Sequence, residues 1–284
     1  MLPALNCQQA LQKSQALGLE RLDAQLLLLH ALGKSADNRA WLLAHGDDVL
    51  PDAIASVYQQ LSERRASGEP LAYIVGYKDF FGLRLQVDSR VLVPRPDTET
   101  LVQWALDVVQ NLETSAPLQI LDLGTGSGAI ALAIASSLKT AGRPATIIAV
   151  DASTDALAVA QENARQLQVN VQFIESSWLE KVTGHHQIIA SNPPYVADND
   201  PHLAALAHEP LQALTSGLDG LEDLRQIIQQ SPNHLKIGGW LLLEHGYDQA
   251  FQVSELLVQR GFDQVQSRLD LAGITRCTGG QWLN

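Results

Sequence analysis

The chain has 284 residues, enough for one large core and a smaller second module. Acidic residues outnumber basic ones by 31 to 19, a formal net charge of −12, and this balance disfavours a protein that binds nucleic acid through its phosphates. A hydrophobic share of 46% with a charged share of 18% is typical of a folded globular protein and excludes a disordered chain.

The cysteine content and the N-terminus indicate where the protein works. Cys7 and Cys277 lie near opposite ends of the chain, too few for a disulfide framework or a cysteine-rich zinc site. Residues 1–12 lack a basic segment followed by an apolar run, and no apolar stretch is long enough to span a bilayer. We therefore expect a cytoplasmic protein that is neither exported nor inserted in a membrane.

The N-terminal part of the chain is predicted to be helical. Leucines recur there at steps of three and four residues, the spacing of one buried helix face: Leu19, Leu22, Leu26 and Leu29. A later helix begins near Pro51 and stops at Gly68. We assign residues 1–72 to a small all-helical domain that binds the substrate. Residues 73–93 show short extended runs, which predict a β-hairpin that links this domain to the rest.

From residue 94 onward, β-rich runs alternate with helical segments. The predicted strands are residues 119–123, 146–150, 171–174, 187–191 and 240–244. This alternation predicts an α/β domain over residues 94–284, a doubly wound, mostly parallel, Rossmann-like sheet that binds ligands at the carboxyl ends of its strands. Residues 265–269 and 274–278 are expected to form an antiparallel hairpin at the edge.

The first of these strands leads into a loop that we call the glycine loop, residues 122–128. Its candidate cofactor-binding residues are Asp122, Gly124, Thr125, Gly126, Ser127 and Gly128. Alternating glycines let the backbone turn sharply and let a ligand approach main-chain N–H groups. The next strand ends in Asp151, whose carboxylate can accept hydrogen bonds from both hydroxyls of a ribose. Together they predict a nucleoside-containing cofactor.

Two cofactor classes are compatible with the glycine loop. Gly124, Gly126 and Ala129 also match the looser dinucleotide fingerprint, so a nicotinamide cofactor stays open. A Walker loop is excluded because no Lys-Ser or Lys-Thr pair follows. Asp122 favours S-adenosyl-L-methionine, because a carboxylate here attracts a sulfonium and an ammonium and would repel a pyrophosphate.

The candidate catalytic residues are Asn192, Pro193 and Tyr195, which follow the fourth strand. With Pro194 they form what we call the Asn-Pro-Pro-Tyr segment, residues 192–195. Consecutive prolines fix the backbone and remove two N–H donors. The segment fits a planar NH₂ group, whose two protons the Asn192 side chain and the Pro193 carbonyl can accept while Tyr195 packs on its plane. The sequence thus predicts that a planar nitrogen is aimed at a methyl group.

A proton acceptor is less evident in the sequence. His208, Glu209 and water are candidates, and we favour water. His208 and Glu209 begin like a zinc-protease helix, but Gln212 stands where the second histidine is required, so we expect no metal. Arg95 and Glu99 are expected either to border the cofactor pocket or to pair with each other at a helix start.

The glycine loop and the Asn-Pro-Pro-Tyr segment together resemble the amino methyltransferases of the class I S-adenosylmethionine-dependent fold. These include DNA adenine enzymes and the release-factor glutamine methyltransferases of the PrmC/HemK type. Three further strings resemble the latter: GEPLAYI at residues 68–74, VPRPDTE at 93–99, and Glu209-Pro210 ahead of DGL at 219–221. The resemblance covers nearly the whole chain.

The resemblance implies a function and a set of site residues. The reaction is methyl transfer from S-adenosyl-L-methionine to the side-chain amide of the glutamine in the Gly-Gly-Gln motif of class I peptide-chain release factors, which modulates translation termination. The glycine loop, Asp151 and Asn192 would contact the cofactor, Trp178 would pack on the adenine, and residues 192–195 would bind the glutamine. The family often has an acid before the Trp178 position, where this chain has Ser177, so we expect adenine recognition to depend more on stacking.

Three other functions are alternatives for this chain. A DNA adenine methyltransferase is disfavoured by the acidic balance and by the absence of a basic, aromatic-bearing recognition segment, so no nucleic-acid partner is expected. A nicotinamide-dependent oxidoreductase stays open, and a binding module without turnover is disfavoured by the intact Asn-Pro-Pro-Tyr segment. Near its C-terminus the chain also contains Gly279-Gly280-Gln281, the tripeptide that the implied substrate presents. We favour coincidence, with a pseudosubstrate tail as the alternative hypothesis.

Overall fold

Two units pack around separate cores in the computed structural model, which describes residues 5–112 and 116–284. The units are Met1–Tyr77 and Lys78–Asn284. This division does not test the domain limits that the sequence predicts at residues 72 and 93, so they remain predictions.

The first unit is helical. Its helices are α1 (Cys7–Ala16), α2 (Arg21–Ala31), α3 (Arg39–Ala44), α4 (Asp52–Ala66) and α5 (Leu71–Val75). The expected face of α2 is partly wrong, because Leu22 is 48% exposed. Leu29 is fully buried as expected, but the other fully buried residues of α2 are Ala24, Leu27 and Leu28, because a run of four leucines lets a neighbouring stripe of the helix face the core.

The predicted hairpin is present but shorter than expected. Strands β1 (Tyr77–Phe80) and β2 (Leu83–Gln86) form a two-stranded sheet. The extended run predicted from residue 73 starts only at Tyr77, because α5 occupies the preceding residues and ends at Gly76 with a φ of 83°. Extended structure predicted as far as residue 93 stops at Gln86, and Arg90 N donates a hydrogen bond to Asp88 Oδ1 in a turn.

The second unit contains a seven-stranded sheet. Its strands are β3 (Leu118–Leu123), β4 (Ala145–Asp151), β5 (Gln172–Glu175), β6 (His186–Ser191), β7 (Leu235–Glu244), β8 (Asp263–Leu269) and β9 (Thr275–Trp282). The strand order is β5-β4-β3-β6-β7-β9-β8. Strands β3 to β7 pair in parallel, whereas β9 runs antiparallel to both β7 and β8. The predicted mostly parallel sheet with an antiparallel edge hairpin is confirmed.

Helices cover both faces of this sheet. They are α6 (Glu99–Asn111), α7 (Ala129–Thr140), α8 (Thr154–Leu167), α9 (Glu222–Gln230) and α10 (Ala250–Arg260). Successive strand residues point to opposite faces, so Ile120 and Ile188 join the core with α6 and α7, while Leu121 and Ile189 join the core with α9 and α10. The fold is therefore doubly wound, as the sequence predicts.

From β3 the chain adds β4 and β5 on one side of the sheet, and β6 and the later strands lie on the other side of β3. Strands β3 and β6 are neighbours, and Leu123 at the end of β3 is in register with Ser191 at the end of β6. The loops after both strands therefore start at the same edge of the sheet, which is where open α/β sheets bind ligands. Within the described residues, no helix is long and apolar enough to cross a membrane.

The C-terminal Gly-Gly-Gln tripeptide lies inside β9 rather than in a tail. A Cβ atom on Gly279 would lie 2.6 Å from the Leu241 carbonyl oxygen, and one on Gly280 would lie 2.9 Å from the Phe262 Cβ. Gln281 Nε2 donates a hydrogen bond to the Gly238 carbonyl at 2.9 Å. Close packing thus explains both glycines, and the pseudosubstrate hypothesis would require β9 to leave the sheet.

Candidate active site

A cavity of about 500 Å³ opens at the carboxyl edge of the sheet, within the second unit. Six of the residues predicted from the sequence line it: Gly124, Gly126, Asp151, Trp178, Asn192 and Pro194. This volume is in the range of small-molecule sites. The structure therefore brings five of the nine expected cofactor residues, Asn192 among them, and Pro194 to one cavity.

The three glycines of the glycine loop are required for different structural reasons. Gly124, Gly126 and Gly128 adopt φ values of 69°, 55° and 86°, which L side chains rarely adopt. A Cβ atom on Gly124 would lie 3.2 Å from the Trp178 ring, whereas one on Gly128 would lie 2.8 Å from the Leu132 side chain. Gly124 and Gly126 therefore open the cavity, and Gly128 allows α7 to start close to the loop.

Asp122, the first residue of the glycine loop, still belongs to β3 and is fully buried. Its Oδ2 accepts hydrogen bonds from Thr125 Oγ1 at 2.6 Å and from Ala131 N at 3.1 Å. Burial raises the pKa of this carboxyl to about 7, although both hydrogen bonds act in the opposite direction. Its Oδ1 is buried without a protein partner in the described part of the chain. Asp122 thus holds the loop and leaves one acceptor unused.

Not every residue of the glycine loop reaches the cavity surface. Thr125 and Ser127 are buried and, with Asp122 and Gly128, are absent from the cavity lining. Their roles as cofactor contacts stay predictions.

Asp151 connects the end of β4 to the glycine loop. Its Oδ2 accepts a hydrogen bond from Gly126 N at 2.8 Å, and its Oδ1 accepts one from Ser153 N at 2.9 Å. Burial raises the pKa of this carboxyl, and the backbone hydrogen bonds partly offset the shift. Each carboxylate oxygen retains a second lone pair, so this half-buried carboxylate can still accept hydrogen bonds from a ribose.

Trp178 forms one wall of the cavity in an unusual conformation. Its φ of 44° is uncommon for a residue other than glycine. Its indole Nε1 donates a hydrogen bond to Asp223 Oδ1 at 3.0 Å. Ser177 also lines the cavity, together with two carboxylates that the sequence analysis did not single out, Glu175 and Asp223.

The Asn-Pro-Pro-Tyr segment is held from both sides. Before it, Ser191 Oγ donates to the Leu123 carbonyl at 2.8 Å, which ties β6 to β3. Asn192 Nδ2 donates to Thr98 Oγ1 at 3.2 Å, and the Tyr195 hydroxyl donates to Glu244 Oε1 at 3.4 Å. Burial raises the pKa of Tyr195, so its hydroxyl stays protonated.

The remaining two members of this segment differ in exposure. Pro193 is buried and does not line the cavity, whereas Pro194 does. Tyr195, like Pro193, lies beside the cavity rather than on its surface.

Two sequence hypotheses about charged residues are corrected by the structure. Arg95 does not pair with Glu99, and neither lines the cavity. Arg95 Nη2 instead donates to Glu209 Oε1 at 2.5 Å, and Val93 N donates to Glu209 Oε2 at 3.0 Å. Glu99 accepts a hydrogen bond from Phe81 N at 2.8 Å. Glu209 is therefore occupied as a structural acceptor, because its two oxygens hold the segment before α6.

The described residues contain no group of three or more His, Cys, Asp or Glu side chains that could hold a metal ion. The sequence analysis gave no individual role to several residues of the site, among them Thr98, Glu175, Asp223 and Glu244. Glu244 had a usable signal, because it is a charged residue that ends the apolar run 241–243 at the same sheet edge. Thr98 lies in the VPRPDTE string at residues 93–99, which marked the segment but not its contact with Asn192. Asp223 had no such signal, since its partner Trp178 lies 45 positions away in the sequence.

The strand order, with β9 as the antiparallel strand, and the cavity at the ends of β3 and β6 are those of the class I methyltransferase fold. Solved structures share this fold. The hMettl16 catalytic domain superposes with a TM-score of 0.56 at 15% identity, covering 82% of this chain and 83% of that chain. A methyltransferase from Pyrococcus furiosus superposes with a TM-score of 0.52 at 16% identity, covering 72% and 91%.

Sequence comparisons define the family. Residues 6–76 match the model of the PrmC N-terminal domain, and residues 106–268 match the methyltransferase small domain. The release factor glutamine methyltransferase of Bordetella pertussis is 46% identical, covering 93% of this chain and 95% of the relative. That of Aliivibrio fischeri is 41% identical, covering 99% of both. The chain belongs to the release factor glutamine methyltransferase family. It is thus a methyltransferase, and membership implies S-adenosyl-L-methionine as methyl donor.

Proposed function

We propose that this chain transfers a methyl group from S-adenosyl-L-methionine to the side-chain amide nitrogen of the glutamine in the Gly-Gly-Gln motif of class I release factors. The observation that carries the proposal is the 46% identity, over 93% of the chain, to a relative named for this reaction. The cavity supports it, because Asn192 and Pro194 line it beside the glycine loop.

The residues at the cavity would suit S-adenosyl-L-methionine, which supports this choice of methyl donor. Gly124 and Gly126 would admit the cofactor to the backbone, Asp151 would hold the ribose, and Trp178 would pack on the adenine. The Asp122 carboxylate has an unpartnered buried oxygen beneath the loop, where a negative charge favours a cationic ligand. The bound cofactor supplies an electrophilic methyl group on a sulfonium. Nicotinamide cofactors fit less well, because a negative charge on the buried Asp122 carboxylate would disfavour a pyrophosphate at the glycine loop.

The Asn-Pro-Pro-Tyr segment would present the glutamine amide to that methyl group. Asn192 Oδ1 and the Pro193 carbonyl accept its two N–H protons, and Tyr195 packs on its plane. An amide nitrogen is a weak nucleophile because its lone pair is delocalised, so alignment must supply much of the effect, roughly 7–11 kcal/mol in well-oriented reactions. As the N–C bond forms, the nitrogen gives up one proton. We favour water as the acceptor, since Glu209 is engaged by Arg95 and Val93.

The remaining parts of the proposal concern the partner and the compartment. The N-terminal helical unit, which matches the PrmC N-terminal domain, would bind the release factor. Methylation of the motif would modulate translation termination. We assign the protein to the cytoplasm, a reducing compartment that suits two free, buried cysteines, Cys7 and Cys277. Neither a nucleic acid nor a membrane is part of the proposal.

A substrate comparison tests this function. The purified protein is incubated with labelled S-adenosyl-L-methionine and one of three substrates: a class I release factor, the same factor with the motif changed to Gly-Gly-Ala, or duplex DNA. We expect label only in the unchanged release factor. Label in DNA, or equal label in both release factors, would overturn the proposed substrate. Stabilisation by nicotinamide cofactors but not by S-adenosylhomocysteine in a melting experiment would overturn the proposed cofactor.

A further inference from the structure

We propose that Glu244 is a positioning residue that acts through Thr98 to orient the Asn192 amide, so that Asn192 Oδ1 rather than Nδ2 faces the substrate. The inference rests on the proposed function and deepens it, because it assigns the orientation of the glutamine-binding side chain to a residue outside the Asn-Pro-Pro-Tyr segment. Glu244 and Thr98 belong to different elements, the end of β7 and the turn that precedes α6.

The geometry places one buried carboxylate behind two side chains of the site. Glu244 is 1% exposed and Thr98 is 3% exposed. Glu244 Oε1 accepts the Tyr195 hydroxyl at 3.4 Å, and the Thr98 hydroxyl also faces this carboxylate and lowers its pKa. Thr98 Oγ1 in turn accepts a hydrogen bond from Asn192 Nδ2 at 3.2 Å. Asn192 and Tyr195 are thus both supported by Glu244, one of them through Thr98.

Hydrogen-bond direction follows from the charge of Glu244. An ionised carboxylate only accepts hydrogen bonds, and a hydroxyl has one proton to donate. When Thr98 donates that proton to Glu244, its oxygen is left as an acceptor, so it must face the NH₂ end of Asn192. The Oδ1 end then points away from Thr98. This is the orientation that a substrate NH₂ group requires, because the NH₂ group needs an acceptor.

Protonation of Glu244 removes this constraint. A carboxylic acid can donate to Thr98 Oγ1, and the Thr98 proton is then free to point to Asn192. That arrangement favours the flipped amide, with Asn192 Nδ2 facing the substrate NH₂ group, so two donors oppose each other. A donor left without an acceptor in a desolvated site costs free energy. Only the ionised form of Glu244 therefore orients Asn192 correctly.

The surroundings of Glu244 make this ionisation sensitive to pH near neutrality. Burial raises its pKa to about 7, Asp97 acts in the same direction, and Arg276 opposes it. Arg276 is shared, because it pairs with Asp97 Oδ2 at 3.2 Å and with Asp270 Oδ2 at 3.3 Å. Other titratable groups lie nearby. Cys277 is opposite Glu244 in the register of β7 and β9, and the Tyr195 hydroxyl bonds to Glu244. His245 bonds to Thr278 and to Gly246.

The unpartnered second oxygen supports a role beyond packing. Glu244 Oε2 is buried without a hydrogen-bond partner among the described residues. A buried charge that is not fully paired costs stability, and a neutral side chain of the same shape would avoid that cost. A carboxylate here is thus expensive for the fold, and a requirement for charge at the site explains why it is present.

The test uses two variants and a matched control. Glu244→Gln keeps the shape of the side chain and removes its charge, and Thr98→Val breaks the connection to Asn192 while Tyr195 keeps its partner. Ser267→Ala is the control, because Ser267 Oγ bonds to Thr278 Oγ1 at 2.8 Å in a neighbouring hydroxyl pair that does not contact Asn192. For each, kcat and KM with a class I release factor are measured from pH 6 to 9, together with S-adenosylhomocysteine affinity and melting temperature.

We expect kcat of the wild type to rise with pH through about 7. Glu244→Gln and Thr98→Val lower kcat about tenfold, the loss for one misdirected hydrogen bond, and abolish this rise. The affinity of both variants for S-adenosylhomocysteine and their melting temperatures stay close to those of Ser267→Ala. A Glu244→Gln variant with wild-type kcat and an unchanged pH profile would overturn the inference. If it fails to fold, Thr98→Val decides by the same readouts. An inactive wild type would instead overturn the proposed function.

Discussion

The Trp178 indole donates a hydrogen bond to Asp223 Oδ1 at 3.0 Å, across 45 positions of sequence. Trp178 has a φ of 44°, a conformation that costs of order 1–3 kcal/mol and persists only where the surrounding contacts offset that cost. Asp223 is itself fixed, because its backbone N donates to Ser216 Oγ at 2.8 Å. The pair thus connects a wall of the cavity to the first turn of α9, which Ser216 holds from the preceding loop.

Removing the Asp223 carboxylate should weaken cofactor binding. Asp223→Ala leaves the Trp178 Nε1 without its acceptor, so the indole loses its fixed position over Gly124. A neutral hydrogen bond contributes about 1 kcal/mol and a bond to a charged group somewhat more, so we expect a roughly 5- to 20-fold loss of S-adenosylhomocysteine affinity by calorimetry. Asp223→Asn keeps an acceptor at this place and should lose much less. Equal losses in both variants would show that charge, not the hydrogen bond, is what matters.

Gly124 offers a test that separates backbone strain from loss of the cavity. Gly124→Ala places a Cβ atom 3.2 Å from the Trp178 ring at a φ of 69°. Gly142→Ala is the matched control, because its φ is 63° and nothing lies within 4 Å of the added atom. Both variants should lose about 1 kcal/mol of unfolding free energy in a denaturant titration. Only Gly124→Ala should also lose cofactor affinity, and an equal affinity in the two would contradict the proposed role of the glycine loop.

The sequence was sufficient for the parts of the site that depend on local spacing. The glycine loop and the Asn-Pro-Pro-Tyr segment each follow a strand directly, so the ends of two neighbouring parallel strands bring them together. The supporting residues could not be found this way. Thr98 lies 94 positions from Asn192, and Glu244 lies 49 positions from Tyr195. Their contacts exist only because the sheet places β7 and the start of α6 beside β6.

The local sequence was also insufficient to explain one pair of charged residues and one glycine-rich string. Arg95 and Glu99 are four residues apart, a spacing that suggests a helical pair, but the buried Glu209 competes successfully for Arg95. The Gly279-Gly280-Gln281 string matched a substrate motif, yet its glycines are required by close strand packing. In both instances a tertiary contact, invisible in the local sequence, determines the role of the residue.

Asp122 should make stability depend on pH. Its pKa is about 7 in the folded protein against 3.8 for an ordinary aspartate, so the folded state holds a proton that the unfolded state has lost between these values. Stability from this group is therefore full below about pH 4 and is lost as pH rises through 7. Asp122→Asn removes the titration. Relative to the wild type, the variant should gain unfolding free energy from pH 5 to pH 8 in urea titrations.

A difference between wild type and Asp122→Asn that stays constant from pH 5 to pH 8 would contradict this account. Above pH 8 the difference should no longer change, because Asp122 is then ionised in both states.

The Glu209 contacts should contribute more stability than an exposed ion pair. Glu209→Ala leaves both Val93 N and the Arg95 guanidinium without their acceptor, in a place where the glutamate side chain is 3% exposed. We expect a loss of about 2 kcal/mol of unfolding free energy, less than for a fully buried pair because Arg95 is partly exposed. Asp79→Asn breaks the exposed pair with Arg84 and should change stability by less than about 0.5 kcal/mol. Similar losses in the two variants would refute this ranking.

The most direct test of the central claim is tandem mass spectrometry of a class I release factor after incubation with this protein and S-adenosyl-L-methionine. The peptide that contains Gly-Gly-Gln is compared for the wild type and Asn192→Ala. We predict one added methyl group on the glutamine side-chain nitrogen with the wild type, and none with Asn192→Ala under conditions where that variant is folded. An unmodified glutamine with active, cofactor-binding wild type, or full methylation by Asn192→Ala, would contradict the account.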